Sequence, residues 1–148
     1  ESQGYEMSLI ANPLRGLQLI AGYSNNQSKV TQDDPANGYL GLRPEEAGPA
    51  ILTNFWASYT VPQGYMKGWG VGMGGNSASQ HLTLNRQETG TFVLPSYQIF
   101  NGSIQYTASH YQVVFKVNNV FNKTYYSGWS GVNPQAIRKC SISLQYQF

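Results

Sequence analysis

Charge is scarce in this sequence: of 148 residues only 11% are Asp, Glu, Lys or Arg, less than half the roughly 25% usual in soluble globular domains. The formal net charge is +2, and Lys67, Arg86, Lys116, Arg138 and Lys139 are scattered rather than striped. That excludes the basic track of a nucleic-acid-binding surface. Cys140 is the lone cysteine, so an intramolecular disulfide and a multi-cysteine metal centre are both excluded. His81 and His110 stand too far apart to form a local ligand pair. No run approaches the roughly 18 apolar residues of a membrane-spanning helix. This excludes helical membrane proteins but not β-barrels, whose strands show only alternation. The chain starts at Glu1 with neither signal peptide nor initiator Met, as a mature or truncated product would.

What the sequence does have is aromatic residues (14%), sixteen glycines and many neutral polar side chains. Apolar positions recur with period 2 nearly everywhere, which a strand produces and a helix cannot. In Ile137 to Phe148, Cys140, Ile142, Leu144, Tyr146 and Phe148 share one parity, and Lys139, Ser141, Ser143, Gln145 and Gln147 the other. Six further segments read the same way: Tyr5 to Ala11, Leu17 to Tyr23, Ile51 to Val61, Trp69 to Met73, Phe100 to Ala108, and Tyr111 to Val117. Trp56 and Val114 break the polar parity of their segments, and glycines 70, 72 and 74 fill that of the fourth. Connections alternate in length: residues 12–16, 62–68 and 109–110 are short, whereas 27–49, 81–95 and 122–136 are long. An up-and-down meander then carries every short turn at one end and every long loop at the other, an asymmetry of outer-membrane barrels.

Alternation alone does not say whether the apolar face meets lipid or a protein core. Several segments can extend to the roughly 10 residues needed to cross a bilayer. Aromatics (Tyr5, Tyr23, Tyr59, Trp69, Tyr97, Tyr111, Tyr146, Phe148) gather near segment ends, as interfacial girdles do. The opposite faces are rich in Gln, Asn and Ser, which suits a hydrated lumen. The alternative is a soluble β-sandwich or lipocalin-like barrel that binds a small apolar ligand. Seven strands is an odd number and leaves two open edges, which lipid does not tolerate. On the membrane reading the chain is therefore part of a larger wall.

The residues resemble the C-terminal strands of TonB-dependent outer-membrane receptors, the ferric-siderophore branch in particular. Glu1-Ser2-Gln3-Gly4-Tyr5-Glu6, Pro13-Leu14-Arg15-Gly16 and Ala21-Gly22-Tyr23-Ser24 are similar to that family's E-x-x-G-x-E, P-x-x-G and A-G-Y-S. Trp56-Ala57-Ser58-Tyr59 followed by Gly68-Trp69-Gly70-Val71-Gly72 resembles its strand, turn and glycine-rich strand, and Leu94-Pro95-Ser96-Tyr97 its L-P-x-Y. The segment from Lys116 to Tyr126 is close to N-V-x-N-L-F-D-K-x-Y-Y, and the end matches the terminal aromatic strand. Asn122 stands where Asp is usual, and Ala136-Ile137-Arg138-Lys139 replaces G-x-P-R.

The resemblance implies an all-β, antiparallel up-and-down transmembrane barrel of 22 strands, of which residues 1–148 supply about seven C-terminal ones. It also implies an N-terminal plug, outside this chain, through which the TonB complex acts. The implied function is TonB-energised import of a ferric siderophore across the bacterial outer membrane, with iron carried as a chelate rather than as a protein-bound cofactor. Tyr39, Arg43, Tyr125, Tyr126 and Trp129, in the long loops, are the candidate ligand contacts: aromatics cover a chelate's organic backbone and Arg complements anionic oxygens. Ordinary loop packing is the alternative for each. Ile142, Leu144, Tyr146 and Phe148 resemble the C-terminal signal read by the barrel-assembly machinery, and they equally suit a plain lipid face. Cys140 shares that parity as a small apolar residue.

For catalysis the sequence offers little. Glu45-Glu46 and Asp33-Asp34 are adjacent carboxylates without a nearby His, and His81 with Glu88 reads as a solvated pair. The glycines at 70, 72 and 74 lie on a strand with no helix after them, so they are not a phosphate cradle. No enzyme activity and no metal site are expected.

Overall fold

The computed structural model describes residues 1–34, 36–86, 90–129 and 131–148, with Arg86 described by its backbone only. The strands are β1 (Ser2–Leu14), β2 (Leu17–Ser28), β3 (Ile51–Thr60), β4 (Trp69–Ala78), β5 (His81–Arg86), β6 (Gly90–Leu94), β7 (Tyr97–Thr107), β8 (Tyr111–Asn118), β9 (Tyr126–Ser127), β10 (Asn133–Pro134) and β11 (Lys139–Tyr146). Seven of them form one antiparallel sheet in the order β1-β2-β3-β4-β7-β8-β11. These are the seven alternating segments of the sequence. β5–β6 and β9–β10 form two separate hairpins within the long connections.

The register explains the alternation. One ladder row runs Ala11, Leu19, Ala57, Met73, Gly102, Val117, Cys140 and is apolar from end to end. The adjacent row runs Gln18, Ser58, Gly72, Ser103, Lys116, Ser141 and carries only polar side chains and a glycine. Successive rows must face opposite ways, because side chains alternate across the pleat. The apolar face is uncovered: Met73 is 61% exposed and Ile142 74%. A soluble sandwich or closed barrel would bury that face, so the sheet is built as a membrane wall whose edge strands are β1 and β11.

Aromatic rings bound the apolar face on both sides. Towards the short turns, Trp69 and Tyr106 lie 5.2 Å apart between ring centroids and Tyr106 and Tyr111 6.0 Å apart, with Tyr146 and Phe148 further along. Towards the long loops, Tyr5 stacks on Tyr23 at 5.8 Å, and Phe55, Phe100 and Phe121 form an edge-to-face chain. Along β7 the two bands are separated by the six residue steps from Phe100 to Tyr106, about 20 Å of strand.

The strands are staggered. In the apolar row, Leu19 lies three residues above the turn glycine Gly16, whereas Val117 lies seven above His110, four strands further along. One residue of stagger per strand corresponds to a tilt of roughly 35°, within the range of membrane barrels.

The short turns are hydrogen-bonded into one rim. Thr60 N–H donates to the Gly16 carbonyl, Thr107 N–H to Gly68, and Gln147 N–H to His110, at 2.8–2.9 Å. Gly16 and Gly68 have φ of +87° and +88°, and a Cβ on either would collide with the carbonyl oxygen of Thr60 or Thr107.

Trp56, the aromatic that breaks the polar parity of β3, lies across the glycines of β4. A Cβ at Gly72 would fall 2.5 Å from its ring, and one at Gly74 2.6 Å. Lys116 Nζ stands 5.8 Å from the same ring centroid, a cation–π distance. The glycine stripe is therefore the floor on which a large ring rests without projecting far from the wall.

The long 81–95 connection carries strand structure of its own: β5 and β6 pair antiparallel, with a register shift between Leu82 and Leu84. His81, Thr83 and Asn85 are buried on one face of β5, so its polar parity points inward against neighbouring loops.

Candidate ligand-binding loops

The first long loop, residues 29–50, is held by its own side chains. Arg43 donates from Nη1 to the Asn26 carbonyl at 3.0 Å, from Nε and Nη2 to Gly48, and from Nη2 to Ala47 at 3.3 Å. Three backbone carbonyls thus occupy a guanidinium that composition alone would aim at a ligand's oxygens. Asp33 accepts from Asn37 Nδ2 at 3.1 Å and from Tyr39 N–H at 2.7 Å. Those two hydrogen bonds, the Asn37 bond above all, hold its carboxyl below the ordinary carboxylate pKa. Glu45 and Glu46 start a short 3-10 turn, Glu45–Ala47.

The β5–β6 hairpin ties the long loops together. Asn85 donates from Nδ2 to the Arg43 carbonyl at 2.8 Å and from its backbone N–H to Glu45 Oε1 at 3.1 Å. His81 places Nε2 3.0 Å from the Gly128 carbonyl in the third loop, which makes that nitrogen the protonated one. The expectation of a solvated His81–Glu88 pair fails at His81, which is 5% exposed; Glu88 lies outside the described residues. Sequence reasoning missed these tethers. The only available signal was a second alternation, Leu82 and Leu84 against His81, Thr83 and Asn85.

The third loop is pinned by asparagines. Asn119 has φ +52° and Asn122 φ +55°. Asn119 is buried; its Nδ2 donates to the Lys123 carbonyl at 2.7 Å and its Oδ1 accepts from Lys123 N–H at 2.8 Å. Asn122 Oδ1 accepts from Arg138 N–H at 2.8 Å, a bond that proline at 138 could not make. The two departures from the family pattern therefore meet in one contact.

Tyr39 and Arg43 line a single concavity of about 350 Å³ together with Asp33, Leu42, Glu45 and Asn85. Tyr125 lies tilted against Tyr97 with ring centroids 4.6 Å apart; Tyr126 pairs with Pro134 in the β9–β10 hairpin; and Trp129 is 60% exposed. The five candidates thus fall in two groups, Tyr39 with Arg43 and the aromatics of the third loop, bridged by the β5–β6 hairpin. Ile142, Leu144 and Tyr146 are exposed on the apolar face of β11, and Phe148 lies beyond the strand against the Tyr146 ring at 5.0 Å. Among the described residues no three His, Cys, Asp or Glu side chains converge to hold a metal ion.

Protonation of Asp33 should release the loop. Because its folded pKa is lowered, its contribution is fully present above the ordinary carboxylate range and is lost as pH falls through the lowered value. The protection factors of amides 36–42, taken against intrinsic exchange at each pH, should therefore fall on acidification, and in Asp33→Ala they should be low already at neutral pH. Equal exchange in both proteins at neutral pH would contradict this role.

No protein-family model matches the chain. Among curated proteins it is 28% identical over 127 residues to the ferric-pyoverdine M114 receptor PbuA of Pseudomonas sp. (strain M114), covering 85% of this chain and 15% of that protein. It is also 28% identical over 158 aligned positions to the ferric-pyoverdine 358 receptor of Pseudomonas putida, covering 100% and 17%. The chain thus spans less than a fifth of the length of these relatives. Among solved structures, the ferripyoverdine receptor of the outer membrane of Pseudomonas aeruginosa superposes with a TM-score of 0.78 at 21% identity over 99% of this chain and 19% of that one. The closed form of the ferric-catecholate import receptor Fiu from E. coli gives 0.78 at 20% identity over 99% and 21%. In sequence and in fold, the chain resembles the C-terminal part of the barrel of TonB-dependent outer-membrane siderophore receptors.

Proposed function

We propose that residues 1–148 form the C-terminal portion of the barrel domain of an outer-membrane receptor that imports a ferric siderophore with energy from TonB. The observation that carries this reading is the division of the sheet: an apolar row is exposed along one face, a polar row occupies the other, and the long loops gather at one end. A closed wall of this kind keeps every backbone polar group paired in lipid and leaves the loops free to hold a ligand outside the cell. The chain's part is binding and enclosure; the plug and its contact with TonB belong to the rest of the receptor. Ile142, Leu144, Tyr146 and Phe148 would serve both as lipid face and as the strand read by the barrel-assembly machinery.

Ferric pyoverdines are the first ligands to test, because both curated relatives are ferric-pyoverdine receptors. Tyr126 and Trp129 present ring surface to the chelate, while Arg43 and Asp33 keep the first loop in shape. With the full-length receptor, Trp129→Ala should weaken binding of the cognate ferric chelate about tenfold, the scale of an exposed aromatic anchor, without lowering the amount of folded barrel. Ligand-quenched fluorescence and iron-limited growth measure both. A full-length receptor that binds no ferric chelate from a broad panel, and whose deletion leaves siderophore-dependent growth unchanged, would sink the proposal.

A further inference from the structure

Strand β5 reaches both groups of candidate ligand residues, and it does so with side chains of one buried face. His81 and Asn85 stand four residues apart on that face, about 13 Å along the strand. At one end His81 Nε2 donates to the carbonyl of Gly128 at 3.0 Å, the residue immediately before Trp129. The other ring nitrogen, Nδ1, is buried and has no hydrogen-bond partner among the described residues, so the polar attachment of the side chain runs through Nε2. At the other end Asn85 holds the Arg43 carbonyl and the Glu45 carboxylate, and it lines the same concavity as Tyr39 and Arg43. The span between the two ends is stiffened by β6: His81 pairs with Leu94, which is buried, and Asn85 pairs with Thr91. The base of the hairpin is fixed as well, since Tyr97, three residues after Leu94, packs on Tyr125 of the third loop.

We infer that His81 and Asn85 are positioning residues for ligand capture, and that β5 is a strut holding Trp129 and the Tyr39–Arg43 concavity in one frame for a ferric chelate that touches both. The inference rests on the transport reading and adds to it the buried groups that set the distance between the two ligand-binding groups. At 5% exposure neither side chain offers a chelate much surface; both bind loop backbone instead. Backbone fixed before the ligand arrives does not have to be ordered by it. Two independent loops would carry that ordering cost at every encounter. Hydrogen bonds at the two ends of one strand act in series: once either is cut the frame is lost, and cutting the second removes little more.

The test uses the full-length receptor with ferric pyoverdine as the probe, read by ligand-quenched fluorescence. His81→Leu and Asn85→Leu, which keep bulk and lose the donor, should each weaken binding about tenfold, the scale of one lost hydrogen bond. The double variant should be no weaker than either single. His81→Gln, whose amide Nε2 can donate in place of the ring nitrogen, should bind within about twofold of the wild type. Heat-dependent electrophoretic mobility confirms that each variant is a folded barrel, and His81→Ala and Asn85→Ser give the same readings where a Leu variant fails to fold. Unchanged affinity in both single variants, a multiplied loss in the double variant, or a Gln variant as weak as the Leu one overturns the inference. Amide exchange of the ligand-free receptor reads the two tethers without any chelate: protection of residues 125–129 should fall about tenfold in His81→Leu, and that of residues 42–47 in Asn85→Leu. A wild type that binds no ferric pyoverdine, with both losses of protection present, counts against the transport reading alone; protection unchanged in both variants overturns the strut whatever the receptor binds.

Discussion

Met73→Arg is expected to destabilise the wall by about 2–4 kcal/mol, the cost of placing a cation on the lipid face near mid-membrane. Met73 lies in the apolar row between the two aromatic bands, two residues along β4 from the Phe55–Phe100 row and four from Trp69. Asn54→Arg is the counterpart. Asn54 sits exposed on the polar face beside Glu6, where an added cation meets water and a carboxylate, so its cost should stay within about 1 kcal/mol. Urea unfolding of the full-length receptor from lipid vesicles measures both. Equal costs, or a larger cost for Asn54→Arg, would mean that the apolar face does not meet lipid.

Gly68→Ala should cost about 2–4 kcal/mol, whereas Gly64→Ala in the same turn should cost only about 1 kcal/mol. The two glycines have nearly equal φ, +88° and +84°, and so share the left-handed penalty. Their surroundings differ: a Cβ at Gly68 meets the Thr107 carbonyl, and one at Gly64 meets nothing within 4 Å. The difference isolates the close approach of two neighbouring hairpins from the intrinsic cost of the dihedral. The same unfolding assay reads it, and matching costs would show that the Gly68–Thr107 contact yields freely.

The wall was legible because each of its strands separates two solvents, which forces the alternation that β11 shows from Cys140 to Tyr146. Trp56 was legible only as an exception, since the glycines that accommodate it come from the next strand. β5 was hidden for the opposite reason: His81 and Asn85 turn polar groups inward to bind loop backbone, so the sign of its pattern is reversed. Arg43 shows where reading a site from residue type stops. Its carbonyl partners lie 4 to 17 residues away, and no local pattern announces them. The Lys116–Tyr126 motif was conspicuous in the sequence, yet its physical basis, a buried Asn119 at positive φ clasping Lys123, depends on how the chain turns.

The stagger of the strands makes hydrogen-bonding rows and membrane depth two different coordinates. Leu19 and Val117 belong to one row, but the four-residue difference in their height above the turns places Leu19 about 14 Å closer to the rim along the strand. The dielectric a side chain meets therefore changes along a single row, from headgroup to hydrocarbon, without any change of strand or face. Each row winds obliquely through the bilayer, and lateral neighbours joined by the same ladder face different parts of the lipid.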